Sequence, residues 1–156
     1  MTRKEKAMKN FYDGYNCTQS VVLAFEELFP FDRETLLRMV SPLGGGMGRL
    51  REVCGSVSGM FLVLGMVYGY SDPKAVEEKK ELYAKVQQLA GRFEERNGSI
   101  VCRELLGLSE KRQEPVPEAR TEGYYQKRPC PELIGMAAEI LEEFIEEKER
   151  KNGTGI

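Results

Sequence analysis

The chain has 156 residues, and its 23 lysines and arginines against 25 aspartates and glutamates leave a formal net charge of -2. With a pI of about 5.5 it has no basic field to hold a nucleic-acid backbone, so no nucleic-acid partner is expected. Histidine is absent, which removes the usual general base near neutral pH and every zinc site built on imidazole; any metal would have to be held by sulphur or carboxylate.

Helix signals are many and strand signals few, predicting an all-α, single-domain bundle of about six helices over residues 1–150, with a frayed tail at 151–156. Thr2 and Glu5 form a capping box for a first helix ending near Tyr12, where Asp13-Gly14 stops it. Asn16 caps a second helix, Cys17 to about Phe29, with Val21, Phe25 and Leu28 as its apolar stripe. Asp32 opens a short helix to about Val40, and Ser41-Pro42 leads into the run Gly44-Gly45-Gly46-Met47-Gly48.

From Val53 to Ser71 there is no charge, and the segment from about Arg51 to Tyr70 reads as a central helix buried on all sides. Gly55 and Gly59, like Gly65 and Gly69, share a helical face, a spacing that suits close backbone approach. A membrane span of this length is weighed and set aside, because a central helix among amphipathic ones has the same composition. Asp72-Pro73 reads as an N-cap followed by a first-turn proline, opening an amphipathic helix to about Arg96 whose buried face runs from Val76 through Leu82, Tyr83, Val86, Leu89 and Ala90 to Phe93. Asn97-Gly98 ends it, and Ser99 caps a short helix with Cys102 at its third position. The segment from about Leu108 to Pro129 reads as a long loop able to act as a lid, its cations Lys111, Arg112, Arg120, Lys127 and Arg128 most simply forming a solvated surface, with docking of an acidic redox partner or anionic substrate near Cys130 as the alternative. Cys130 caps the last helix, where Leu133, Met136, Ala137, Ile140, Leu141 and Phe144 recur at helical spacing.

Cys17, Cys54, Cys102 and Cys130 thus each fall at or near a helix start, where unpaired N–H groups and the helix dipole favour thiolate. They are too far apart in sequence for a C-x-x-C, zinc-ribbon or ferredoxin motif, so a shared site requires the tertiary fold to bring helix starts together. The alternative is that each is a small buried hydrophobe. Basic and polar residues alternate through Asn10 in place of a secretory leader, so a cytoplasmic location is expected, and there permanent disulphides are not.

The string Gly44-Gly45-Gly46-Met47-Gly48-Arg49, followed by Cys54-Gly55-Ser56-Val57-Ser58-Gly59, with one cysteine before and two after, resembles the C_GCAxxG_C_C family of redox-active proteins. Ser56 stands where that family usually has alanine, a small-for-small change. The resemblance covers about Cys17 to Ile145 and implies redox or metal chemistry at Cys17, Cys54, Cys102 and Cys130; a related domain in split-Soret cytochromes is associated with an iron-sulphur centre. An iron-sulphur cluster is the leading cofactor expectation, with zinc or no metal as alternatives, and Gly44, Gly45, Gly46, Gly48 and Gly55 would let backbone approach such a group. A metal-free thiol-disulphide oxidoreductase and a zinc-stabilised interaction module are the competing functions. In the metal-free case a first-turn or cap cysteine is expected to attack first, with Cys54 as its resolving partner. A redox partner and a homo-oligomer are compatible with this reading. The glycine run matches neither G-x-G-x-x-G nor the Walker pattern, so nucleotide binding is not expected.

Overall fold

The computed structural model describes residues 1–109 and 112–153. It is all-α: α1 (Arg3–Tyr12), α2 (Cys17–Leu23), α3 (Arg33–Val40), a one-turn element α4 (Gly44–Met47), α5 (Gly55–Tyr68), α6 (Val76–Asn97), α7 (Cys102–Leu105), α8 (Glu122–Lys127) and α9 (Cys130–Gly153). Among the described residues no strand forms, only a single antiparallel bridge between Val53 and Val101. No helix there is long and apolar enough to cross a membrane.

Two capping boxes set the first helices. The Glu5 amide donates to Thr2 Oγ1 at 3.0 Å while the Thr2 amide donates to Glu5 Oε2 at 2.9 Å. Asn16 and Gln19 repeat the exchange at the start of α2, at 2.8 and 3.1 Å. Helix α1 lies along α9, and α2 packs between α1 and α5. The core they enclose is built on Phe11, Phe25, Met60, Leu64, Phe93, Ile134, Leu141 and Phe144, all fully buried.

Close contact between α2 and α5 depends on small residues. A Cβ on Gly59 would lie 2.9 Å from Val21 Cβ, and one on Gly55 2.9 Å from both Cys17 Cβ and Thr18 Oγ1. Thr18 Oγ1 itself donates to the Gly55 carbonyl at 2.9 Å, fastening the two helices where both carry a cysteine beside the contact. Gly65, on the same helix, has nothing within 4 Å of its Cβ position. Gly59→Leu is therefore expected to cost roughly 1–3 kcal/mol by overpacking, whereas Gly65→Ala gains roughly 0.5–1 kcal/mol from helix propensity. Urea unfolding midpoints moving in opposite directions would check the pair; equal shifts would contradict it.

Several boundaries differ from the sequence reading. Helix α2 stops at Leu23 and is followed by a 3-10 turn, Glu26–Leu28, which leaves Leu28 exposed and outside the stripe. The central helix begins at Gly55, not Arg51, because the chain first bridges to Val101; its last turn carries the exposed Met66 and Val67, so it is buried on all sides only in its first half. Asp72 does not cap α6: its carboxylate accepts from the Lys74 amide in a local turn, and the helix starts at Val76. Along α6, Val76 and Tyr83 are exposed, and full burial is confined to Leu89 and Phe93. The Ser99 hydroxyl likewise accepts from the Val101 amide, so α7 starts on Cys102 itself. The long loop contains α8, capped by Thr121. Helix α9 continues through Gly153, so the first half of the expected tail is helical; residues 154–156 and the expected surface cation Lys111 lie outside the described residues.

A candidate thiol site lined by four cysteines

Each cysteine is delivered by a different local device. Cys17 and Cys130 are the first residues of α2 and α9. Cys54 is the residue before α5 and Cys102 the first of α7, and these two flank the Val53–Val101 bridge. Around that bridge the Cys54 amide donates to the Ile100 carbonyl at 2.8 Å, and the Cys102 amide donates to the Glu52 carbonyl. Since side chains alternate across an extended pair, Cys54 and Cys102 sit diagonally on one face of it.

Between residues 44 and 51 the backbone is held in the left-handed region almost throughout: φ is +70° at Gly45, +68° at Gly46, +71° at Met47, +61° at Gly48, +67° at Arg49 and +59° at Arg51. One turn of left-handed helix closes with the Gly48 amide donating to the Gly44 carbonyl at 2.8 Å. For Met47, Arg49 and Arg51 this conformation costs roughly 1–2 kcal/mol each, and the surrounding contacts have to offset it. The Glu52 amide donates to the Gly46 carbonyl at 2.9 Å and the Gln113 amide to the Arg49 carbonyl at 3.0 Å. Gly46 is the position where only glycine fits, since its Cβ would lie 2.6 Å from Cys102 Cβ and 2.8 Å from Arg51 Cα.

All four cysteines line one cavity of about 360 Å³, together with the left-handed turn and Arg49, Arg51, Arg120 and Arg128. Cys54, Cys102 and Cys130 are buried, Cys17 is half-buried, and all four are free thiols. Of the glycines expected near the site, Gly44, Gly45, Gly46, Gly48 and Gly55 all line this cavity. The segment expected as a lid crosses it: Pro115, Pro117 and Glu118 contribute to the lining, and the segment is pinned by its own hydrogen bonds. Arg49 Nε donates to the Glu114 carbonyl at 2.6 Å, Arg51 Nε to Gln113 Oε1 at 2.9 Å, and Arg120 to the Phe11 and Tyr15 carbonyls at 2.7 and 2.9 Å.

The loop cations are therefore not all a solvated surface. Arg128 is only 9% exposed and Arg120 half-buried over the Phe11 ring, because their side chains turn inward, Arg120 onto the Phe11 and Tyr15 carbonyls and Arg128 onto Glu118. Arg51, 5% exposed, is the functional candidate that sequence reasoning missed; Arg120 and Arg128 enter that reasoning only through the alternative to a solvated surface. Charge alone does not distinguish an inward-turning arginine from a solvated one.

The four thiols differ in protonation. Burial pushes Cys54 up to about 11 against an opposing hydrogen bond with Ser56, whose Oγ lies 2.9 Å from the Cys54 sulphur. Burial also raises Cys102, opposed by Arg51, whose Nη1 is 3.5 Å from its sulphur. Cys17 and Cys130 act on each other. The Cys17 thiol donates to the Cys130 sulphur, and this contact is the leading reason that Cys130 falls below the ordinary thiol value while Cys17 rises well above it. Burial opposes the fall at Cys130; the positive charges of Arg128, Arg51 and Arg120 add to it. Burial and the other sulphurs add to the rise at Cys17. Of the two, Cys130 is the sulphur that ionises first as pH rises. Tyr124, its hydroxyl pushed up to about 12 mainly by burial, stays protonated beside them.

A family model described as "Putative redox-active protein (C_GCAxxG_C_C)" matches residues 15–144, a span that contains all four cysteines and the left-handed turn. The chain belongs to the C_GCAxxG_C_C family. No curated protein and no solved structure matches it. Among the described residues, no three or more cysteine, aspartate or glutamate side chains are gathered closely enough to hold a single metal ion. For this member of the family, Ser56 supplies the Cys54 sulphur with a hydrogen bond that alanine at that position would not make.

Proposed function

We propose that the protein is a thiol-disulphide redox protein in which Cys130 attacks and Cys17 resolves. The observation that carries this reading is that Cys17 and Cys130 line one cavity with Arg51 and Arg128, where the two sulphurs act on each other to lower Cys130 and raise Cys17. A thiolate is the nucleophile in exchange, and the partner that holds its proton is the thiol placed to complete the disulphide. The attacking cysteine comes from a helix start, as the sequence suggests; its resolving partner is Cys17 in place of the expected Cys54. Cys54 and Cys102, with raised values, form a slower second pair.

The four-sulphur lining favours one second reading. An iron-sulphur cluster suits an all-thiolate donor set in chemistry, and Cys17, Cys54, Cys102 and Cys130 would hold it; when bound, such a cluster supplies one-electron transfer. In that reading the buried arginines offset the charge of the four thiolates, and the Ser56 hydroxyl donates to one sulphur. A zinc ion is less well supported, because it needs four donors about 2.3 Å from one point and the sulphurs are not gathered that closely.

Limited alkylation of the reduced, metal-free protein with iodoacetamide tests the leading reading. As pH rises, the side chain with the depressed value becomes thiolate first. Cys130 is expected to label fastest and at the lowest pH, with the raised Cys17 and Cys54 slowest, half of Cys54 being thiolate only near pH 11. Cys54 or Cys102 labelling ahead of Cys130 would reject the assignment of the nucleophile.

A further inference from the structure

The cavity holds more buried positive charge than the protein neutralises. Arg49, Arg51, Arg120 and Arg128 all line it, while among the described residues Glu118 is the single carboxylate in the lining. Glu118 is itself shared, accepting from Arg128 Nη2 at 3.1 Å and pairing with Lys127 Nζ at 2.8 Å. Arg120 is used up by the carbonyls of Phe11 and Tyr15, and Arg49 by Glu114 and Gln113. Arg51 and Arg128 are different. Arg51 spends Nε on Gln113 and directs Nη1 at the Cys102 sulphur. Arg128, more than nine-tenths buried, leaves its Nε without a hydrogen-bond partner among the described residues. A buried guanidinium N–H without an acceptor is destabilising, and an arginine fork is matched in shape and charge by a carboxylate or similar oxyanion. The cavity reaches the surface where the exposed Ser41, Gly48, Pro115 and Pro117 line it, and about 360 Å³ is room for a small molecule.

We infer that Arg51 and Arg128 make this cavity a binding site for a small anionic disulphide, holding its carboxylate while its S–S bond meets the Cys17–Cys130 pair. The inference rests on the thiol-disulphide reading above and specifies its substrate class. In the step, the Cys130 thiolate attacks one sulphur of R–S–S–R′, forming Cys130–S–S–R and expelling R′–S⁻, which takes the proton of the Cys17 thiol. The Cys17 thiolate then attacks the Cys130 sulphur, forming the Cys17–Cys130 disulphide and expelling R–S⁻, which takes a proton from solvent. Two thiols are oxidised and one external disulphide is reduced to two thiols.

The test uses three disulphides of one size and different charge: dianionic 3,3′-dithiodipropionate, neutral bis(2-hydroxyethyl) disulphide and dicationic cystamine. Each rate with the reduced full chain is divided by the rate of the same compound with free 2-mercaptoethanol, which removes differences in leaving group. The anionic compound is expected to react about tenfold faster than the neutral one, the cationic one slower still, with the preference shrinking as salt is added. In Arg128→Gln the anionic-to-neutral ratio is expected to fall roughly fivefold or more. The ratio isolates binding, since a change in Cys130 nucleophilicity moves both rates together. Equal normalised rates for all three compounds with the unaltered protein would overturn the inference while leaving the thiol-disulphide reading standing. Failure of the neutral compound to oxidise Cys17 and Cys130 would overturn both.

Discussion

Cys130→Ser is expected to slow reduction of an external disulphide by roughly a hundredfold or more, because serine carries no thiolate to attack with. Cys17→Ser is expected to behave differently. The Cys130 sulphur would still attack, but with no thiol to resolve the product the protein would accumulate a mixed disulphide on Cys130, visible as a stoichiometric mass increase. The Cys17 hydrogen bond is also the first cause of the depressed value at Cys130. In Cys17→Ala, which has no group to donate, Cys130 is therefore expected to rise toward the ordinary thiol range, leaving Arg128, Arg51 and Arg120 as the groups that favour thiolate. The attack step in Cys17→Ala should thus need a higher pH than in the unaltered protein or in Cys17→Ser, whose hydroxyl still donates. Identical kinetics in the two serine variants, with no trapped adduct in either, would contradict the division of roles.

Gly46→Ala carries the largest expected structural effect. The position has φ of +68°, and the added Cβ would lie 2.6 Å from Cys102 Cβ, 2.8 Å from Arg51 Cα and 3.0 Å from the Glu52 amide nitrogen. Two of those neighbours are backbone atoms that have little room to move, because Arg51 is itself left-handed and the Glu52 amide is bonded to the Gly46 carbonyl. Strain and overlap together are expected to cost roughly 2–4 kcal/mol. Gly107→Ala is the control, with φ of +66° and nothing within 4 Å of its Cβ position, so that it bears the backbone strain alone, roughly 1–2 kcal/mol. Urea unfolding of the two variants separates the contributions, and equal losses would mean that the contact with Cys102 and Arg51 is unimportant. In Gly46→Ala the alkylation rate of Cys102 should also change, since the substitution displaces that side chain directly.

The helical class, the Thr2–Glu5 capping box, the Asn16 N-cap and the apolar stripe of α9 were readable from local chemistry, because each is decided within a few residues. Thr2 with Glu5 and Asn16 with Gln19 form their reciprocal bonds inside a single turn. Less legible were features decided by distant partners. The left-handed turn depends on Gln113 and on the approach of Cys102, more than fifty residues away. The two-residue pairing of Val53 with Val101 replaces what propensity alone reads as the first turn of the central helix, and it is this pairing that fixes Cys54 and Cys102 on one face. Likewise Asp72 and Ser99 have good capping side chains but spend them on local turns before their helices begin. The four cysteines were legible as candidates from their places near helix starts and from the family resemblance. Arg51 was not, and Arg120 and Arg128 were legible only as an alternative to a solvated surface, because whether such a side chain points inward depends on where the loop across the cavity is tied down.

The most direct measurement of the central claim is the identity of the first disulphide to form. Fully reduced protein, prepared without oxygen and assayed for iron, sulphide and zinc, would be titrated with bis(2-hydroxyethyl) disulphide. Quenching in acid with N-ethylmaleimide, followed by proteolysis and mass spectrometry, would then map each cysteine. The expected result is a Cys17–Cys130 disulphide appearing first, with Cys54 and Cys102 still trapped as free thiols. A first disulphide between Cys54 and Cys102, or four cysteines that stay unreactive together until iron and sulphide are stripped, would contradict it.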